Sequence, residues 1–380
     1  MAIAGHQAVH RVSIDRSKSL AQEPTTGHNR WHPSIPPIVR ANPGDRVVLD
    51  TRDAVDGQLT SQSTAADVAR TNLDLVHPLT GPVYINGAEP GDLLEVLILQ
   101  VEPASFGFTA QLPGFGFLRD LFPDPYLVKW DIDAERNYAT SADLPSVRIP
   151  GASFAGTIGL APSMDLLQRT AAREQALLER GGFVLPPSAS GAVPADPSIA
   201  GEALRTIPPR ETAGNVDIKQ LSAGTRLALP VSEVGALFSL GDAHFAQGDG
   251  ECCGTAIEIC ATFHLEFQLH KGAAAARNIR SAQFARDEYV VAPEVQAPKR
   301  FYATTGLSIT DDGENRSEDA TLAARNALVS MIDYLGHARG LTRQQAYALC
   351  SVAVDLKISE LVDVPNFVVS AFLPLDIFTS

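Results

Sequence analysis

A short turn signature stands three times ahead of an apolar run, and it narrows the folds open to this chain. Asn42-Pro43-Gly44-Asp45 precedes Arg46-Val47-Val48-Leu49-Asp50, and Glu89-Pro90-Gly91-Asp92 precedes Leu93-Leu94-Glu95-Val96-Leu97-Ile98-Leu99. A looser copy, Ser222-Ala223-Gly224-Thr225, precedes Arg226-Leu227-Ala228-Leu229. Proline presets φ at one corner of a turn, and glycine accepts the positive φ at the next. A turn that repeatedly feeds an apolar run predicts β-sandwich or barrel modules. The copies are too short to define a solenoid repeat.

Three segments break the strand pattern. Ser163 to Arg180 reads as a helix, with Leu166, Leu167, Ala171, Leu177 and Leu178 near helical spacing and Gly181-Gly182 after it. Glu318 to Ala338 reads as a second, with Leu328, Met331 and Leu335 on one face. A third starts at Thr342, where Gln345 completes a capping box, and runs to about Val354. Pro186 to Pro209 is rich in Pro, Ala, Ser and Gly and reads as a long, mobile loop or lid. Asn366 to Phe378 reads as strand. The expected class is therefore mainly β (α+β), built of β-sandwich or barrel modules with a few helices. Three parts are expected: a β-rich segment 1–150, a helix and loop over 151–212, and a second β-rich segment 213–380 ending in two helices.

Hydrophobic residues make up 45% and charged residues 19%, the balance of a folded globular chain. The net charge of −14 disfavours nucleic acid and anionic membranes, which are themselves polyanions. No run of about 18 apolar residues occurs, so no membrane span is expected. Met1 to Leu20 lacks the apolar core of a secretory signal. Cytoplasm is the expected compartment. Of the cysteines Cys252, Cys253, Cys260 and Cys350, the first two are adjacent rather than spaced as CxxC. Reduced, buried thiols are expected.

The functional signal is densest in Gly241-Asp242-Ala243-His244-Phe245-Ala246-Gln247-Gly248-Asp249-Gly250-Glu251. A glycine-rich loop can turn sharply and aim several polar side chains at one point. No Lys or Arg lies within it to neutralise its carboxylates, and its flanks are apolar. Three other segments mix ligand-type residues with turn formers: His28-Asn29-Arg30-Trp31-His32-Pro33, Thr51-Arg52-Asp53-Ala54-Val55-Asp56-Gly57-Gln58, and Ala213-Gly214-Asn215-Val216-Asp217. Each alone is as consistent with a surface turn as with a site.

Together these segments resemble the acetamidase/formamidase family. The likeness includes His77-Pro78-Leu79-Thr80-Gly81-Pro82-Val83-Tyr84, Gly87-Ala88-Glu89-Pro90-Gly91-Asp92, Leu349-Cys350-Ser351 and Asp355-Leu356-Lys357-Ile358-Ser359, and it runs from about His28 to Pro374. The His28 and His77 segments look more like the formamidase branch. The resemblance implies hydrolysis of a short aliphatic amide to a carboxylate and ammonia, a β-rich fold, a homo-oligomer and a bound divalent metal. Members that look similar hydrolyse a bicyclic γ-lactam, so a larger amide or lactam stays open.

There is no Gly-x-Ser-x-Gly elbow, so a water activated by a divalent metal, expected to be zinc, is favoured over a serine nucleophile. The expected ligands are His28, Asp53 and His244. Glu251 is the expected general base, and Asp242 a second catalytic carboxylate that orients His244 or completes the metal shell. Arg30, Asn215 and Gln247 are expected to donate to the amide oxygen. Phe106, Phe108, Phe115 and Phe117 are candidates to wall the pocket or to pack between modules. Three alternatives stand beside this reading: a thiol mechanism through Cys252 or Cys253, a non-catalytic binding protein, and a structural ion that pins the β-modules.

Overall fold

The structure, a computed structural model, describes residues 8–287 and 300–379. Residues 1–7 of the stretch Met1–Leu20, together with 288–299 and 380, lie outside the described residues. The fold is mainly β, as expected. Its principal strands are β1 (Arg46–Thr51), β2 (Leu79–Ile85), β3 (Leu93–Gln111), β4 (Tyr126–Asp133), β5 (Phe154–Leu160), β6 (Phe238–His244) and β7 (Glu258–His270). All belong to one fifteen-stranded sheet, through which the path β4-β3-β7-β6-β5 runs antiparallel. Segments 1–150, 151–212 and 213–380 all contribute strands to it.

β7 organises the sheet. One edge lies along β3, while the other passes from β6 at Glu258–Ile259 to β1 at Ala261–Glu266. Ile259, Ala261, Phe263, Leu265 and Phe267 alternate along it and are all buried. That is the period-2 pattern of a strand whose one face is core. Phe267 meets Phe238 of β6 edge-on at 5.1 Å.

The three turns serve the same purpose each time. Gly44, Gly91 and Gly224 have φ of 92°, 92° and 88°. Each donates its N–H across to the sheet: Gly44 to Phe267 O at 2.7 Å, Gly91 to Val231 O at 2.9 Å, Gly224 to Ile98 O at 2.7 Å. In the two Pro-Gly-Asp copies the aspartate closes the turn: Asp45 Oδ2 accepts from Asn42 N at 2.8 Å and Asp92 Oδ2 from Glu89 N at 2.9 Å. The strand register is thus fixed by the turn as well as by the apolar pattern.

The helices fall where spacing places them. α1 (Met164–Glu179) is capped by Ser163, whose hydroxyl accepts from Leu166 N at 3.3 Å. Its apolar face is shorter than expected. Leu167 is buried, but Leu177 is 43% exposed and Leu178 37%. α2 (Ala320–Arg339) buries Leu328, Met331 and Leu335 and ends at the left-handed Gly340. α3 (Arg343–Ala353) begins with the Thr342–Gln345 capping box. Beside them β8 (Phe301–Leu307), β9 (Asp355–Glu360) and β10 (Val368–Pro374) form a small sheet in the order β8-β10-β9.

α3 is also a clamp. Its Tyr347 hydroxyl accepts from Leu118 N at 2.8 Å and donates to Cys252 O. Ser351 Oγ donates to Thr255 O at 2.6 Å and accepts from Cys253 N at 3.0 Å. The helix therefore holds the connection between β6 and β7, where the glycine-rich segment lies.

Candidate active site

The glycine-rich segment is only partly a loop. Gly241, Asp242 and His244 belong to the end of β6, and the irregular chain begins at Phe245. His244 is the hub. Its Nδ1 lies 2.9 Å from Gln247 Oε1, and Gln247 Nε2 donates to Asp217 O at 2.8 Å. The amide orientation is thereby fixed: Oε1 faces the ring and can only accept, so Nδ1 carries a proton. Nε2 then points its free side at carboxylates: Glu258 at 3.2 Å, Asp242 at 3.4 Å and Glu251 at 3.9 Å.

Two groups of three side chains lie close enough to share an ion: Asp217, His244 and Glu251, and Asp242, His244 and Glu258. In each, the ligand atoms are within 4.8 Å of one another. Asp217 Oδ1 and Glu258 Oε2 are buried without a hydrogen-bond partner. Among the described residues, only the histidines His77 and His244 form ion pairs with these four carboxylates. Buried, unpaired carboxylate oxygens around an imidazole lone pair fit a divalent cation, because an ion would satisfy the orphaned atoms and the charge together.

The electrostatics follow from this crowding. Burial pushes the Asp217 and Glu258 carboxyls well above the usual range, and neighbouring Asp242 adds to the effect. Burial and Asp217 do the same to Glu251. Asp242 goes the other way: burial raises it, but His77 and His244 more than reverse that. On His244, burial opposes the proton and Glu258 and Asp242 outweigh it, so its proton affinity is raised.

The backbone is strained here too. Asp217, Asp242 and Glu251 have φ of 47°, 53° and 40°, a left-handed region that non-glycine residues adopt rarely and at some cost. Gly156 on β5 makes room for them. A Cβ there would stand 2.5 Å from Asp217 Oδ1, 2.6 Å from His244 Cε1 and 2.9 Å from Asp242 Oδ2.

The carboxylates open into a cavity of about 170 Å³. His77, Asn215, Asp217, Asp242, Glu251 and Glu258 form its polar side. Thr157 Oγ1 lies 2.6 Å from Asn215 Oδ1, 3.1 Å from Asp242 Oδ2 and 3.4 Å from His77 Nδ1. One hydroxyl proton serves one of these, and the shortest contact assigns it to Asn215. Asn215 then keeps its Nδ2 hydrogens as donors.

These geometries meet independent comparisons with known proteins. The sequence profile of the Acetamidase/Formamidase family matches residues 13–380. The chain belongs to this family. It is 36% identical to an acetamidase of Mycolicibacterium smegmatis, over 89% of this chain and 88% of that one. It is 34% identical to a formamidase of Methylophilus methylotrophus, over 97% and 93%. A solved γ-lactamase from Delftia acidovorans superposes with a TM-score of 0.92 at 35% identity, covering 98% of this chain and 94% of that one.

Within this acetamidase/formamidase framework, several expected roles change. The trio His28, Asp53 and His244 is not assembled. His28 is fully buried with Nε2 2.7 Å from Ser239 Oγ, and Asp53 caps its own turn by accepting from Val55 N at 3.0 Å and Gly57 N at 3.2 Å. Neither joins the groups that could share an ion with His244. Arg30 spends its donors on the carbonyls of Asn29, Asp74, Ser188 and Ser190, so it clamps the 186–209 loop instead of meeting substrate. That loop is held, not free: Asn29 also accepts from Val193 N at 2.8 Å and donates to Gly191 O at 2.8 Å. Gln247 stands behind His244 and orients it. Asn215, Glu251 and Asp242 line the cavity, and so does Phe115, while Phe108 packs in the core.

His77, Thr157, Asp217 and Glu258 complete the site beyond the expected residues. Asp217 and His77 sit inside the quoted motifs. Glu258 carried a signal of its own, a lone charge in the apolar run Thr255-Ala256-Ile257-Glu258-Ile259. The thiols stay apart from this chemistry. Burial pushes Cys253 up to about 11 and Cys252 higher than its usual range. Such thiols are poor nucleophiles.

Proposed function

We propose that this protein hydrolyses a short aliphatic amide to a carboxylate and ammonia, with a divalent cation, zinc, held by His244 with Asp242 and Glu258. The observation that carries the reading is His244: its Nδ1 is committed to Gln247, and its Nε2 is aimed at the carboxylates of Glu258, Asp242 and Glu251, which among the described residues pair with no Lys or Arg. The cation would supply Lewis acidity to the amide carbonyl and acidity to the attacking water. One imidazole and several carboxylates form a donor set that also suits manganese, so metal analysis belongs in the test.

The protein's own groups account for the rest. Glu251, 16% exposed at its side chain and facing the cavity, takes the proton of the attacking water and delivers it to the departing nitrogen. Its raised proton affinity suits the second half of that cycle. Asn215 Nδ2 and the His77 ring at the cavity edge donate to the amide oxygen as charge builds on it. Asp217 holds Gln247 through its backbone carbonyl and so fixes His244. The relatives named acetamidase and formamidase support the substrate class.

The test is ammonia release from formamide, acetamide and propionamide by purified protein of known metal content, before and after chelation. Release that falls on chelation and returns with zinc is the expected result. Full activity in metal-free protein would sink the metal reading. We also read the chain as a cytoplasmic homo-oligomer. Four unpaired cysteines suit a reducing compartment, and exposed Val362, Val364 and Ile358 are surface that self-association would cover. Light scattering of the purified protein decides the oligomer. No described helix is long and apolar enough to cross a membrane.

A further inference from the structure

Besides its carboxylates, the cavity has an apolar wall formed by Val55, Leu73, Val76, Leu112, Phe115 and Ile207. This wall carries no charge. Its size is out of proportion to the smallest amides. Formamide has three heavy atoms and acetamide four. A water occupies about 30 Å³ of liquid, and an apolar cavity of about 150 Å³ accommodates benzene. A cavity of about 170 Å³ that held only formamide would keep its apolar wall wet.

The wall is also unable to collapse onto a small ligand. Arg205 pairs with Asp74 Oδ1 at 3.0 Å and donates to Leu73 O. Arg30, itself buried, donates to Asp74 O at 3.1 Å. His77 N donates to Thr206 Oγ1 at 2.6 Å, which ties the Val76 side of the wall to the Ile207 side. Two guanidinium groups and a hydroxyl therefore hold Leu73, Val76 and Ile207 at their separation.

We infer that this wall is an acyl pocket, and that the preferred substrate is a primary amide with a saturated, uncharged acyl chain of about four to six carbons. The inference rests on the amide-hydrolysis reading above. Val55, Leu112, Phe115 and Ile207 are then the specificity-determining residues. Each methylene buried against them raises kcat/KM about fourfold. An ionised substituent on the chain meets no partner and is rejected.

The experiment is kcat/KM for ammonia release across the linear series from formamide to octanamide, using metal-loaded protein. The expected profile rises from acetamide to an optimum between butanamide and hexanamide, then falls at octanamide. Ile207→Trp is expected to lower the pentanamide-to-acetamide ratio at least tenfold, and Phe115→Ala to move the optimum to a longer chain. Thermal melting of both variants checks that they fold, and the two opposite shifts guard against a failure of either. Formamide as the best substrate with a monotonic decline would overturn the acyl pocket and leave amide hydrolysis standing. No ammonia from any member of the series would overturn both.

Discussion

Glu251 is held at φ 40° with its carboxylate between Asp217 and His244. Its neighbours make ionisation costly, which is useful to a group that must accept and return a proton. Glu251→Gln removes the proton carrier and relieves like-charge crowding. Activity is expected to fall roughly 10²- to 10⁴-fold, with the melting temperature of chelated protein unchanged or raised. An equal loss of stability would mark Glu251 as structural. Gln247→Leu acts one step further back. Without Oε1 the ring loses its fixed tautomer, and metal affinity is expected to weaken by roughly 10- to 100-fold, read by competition with a chromogenic chelator. Gly156→Ala tests the space itself: its methyl would meet Asp217 Oδ1, the His244 ring and Asp242 Oδ2 at once, so metal content is expected to collapse while far-UV circular dichroism is kept. At this scale the sequence was half legible. Asp242, His244 and Glu251 stood together among glycines. Asp217 and Glu258 reach the same point from another segment and another strand, and only the pairing of β6 with β7 brings Glu258 opposite His244.

Among the elements, local rules were the readable ones. Ser163, Thr342 and Gly340 mark helix ends that hydrogen bonds then confirm. Gly44, Gly91 and Gly224 mark turns whose positive φ no other residue takes as easily. The 186–209 segment reads as mobile by composition, but its 188–193 part is hydrogen-bonded to an anchor distant in sequence. Its composition is that of a free loop, but Arg30 gathers its carbonyls from about 160 residues away. Burial lowers the proton affinity of that guanidinium, to about 10, yet leaves it charged at neutral pH. Arg30→Met would strand several carbonyls that now share one charged donor group. A loss of about 3 kcal/mol or more is expected in urea unfolding, together with new proteolytic cleavage between 186 and 194. Arg30→Lys should recover little of this, since one ammonium cannot span the fork.

Over the whole molecule, what sequence could not give was the order of strands. The turn-strand copies predict β modules, but nothing local says that β7 joins β3, β1 and β6 in one sheet. That merger is what seals His28 inside, against Ser239 of β6 and Trp31. The buried ring has no partner at Nδ1, and burial lowers its proton affinity from 6.5 to about 4. The folded state therefore refuses a proton that the unfolded chain accepts. Below pH 6.5 the unfolded chain gains that proton first, so His28 makes stability fall as pH drops, until the folded state also protonates near pH 4. A depression of this size amounts to roughly 2–3 kcal/mol at pH 4.5. Glutamine can keep the contact with Ser239 Oγ but cannot titrate. His28→Gln should cost stability at pH 7.5 and lose less, or gain, at pH 4.5. The measurement is urea unfolding of both proteins at both pH values. The wild-type fall between them should exceed that of the variant by the stated amount, a double difference that cancels every other titrating group. Parallel falls would mean that the His28 ring protonates without leaving its pocket, and that the sheet around it yields more readily than its packing implies.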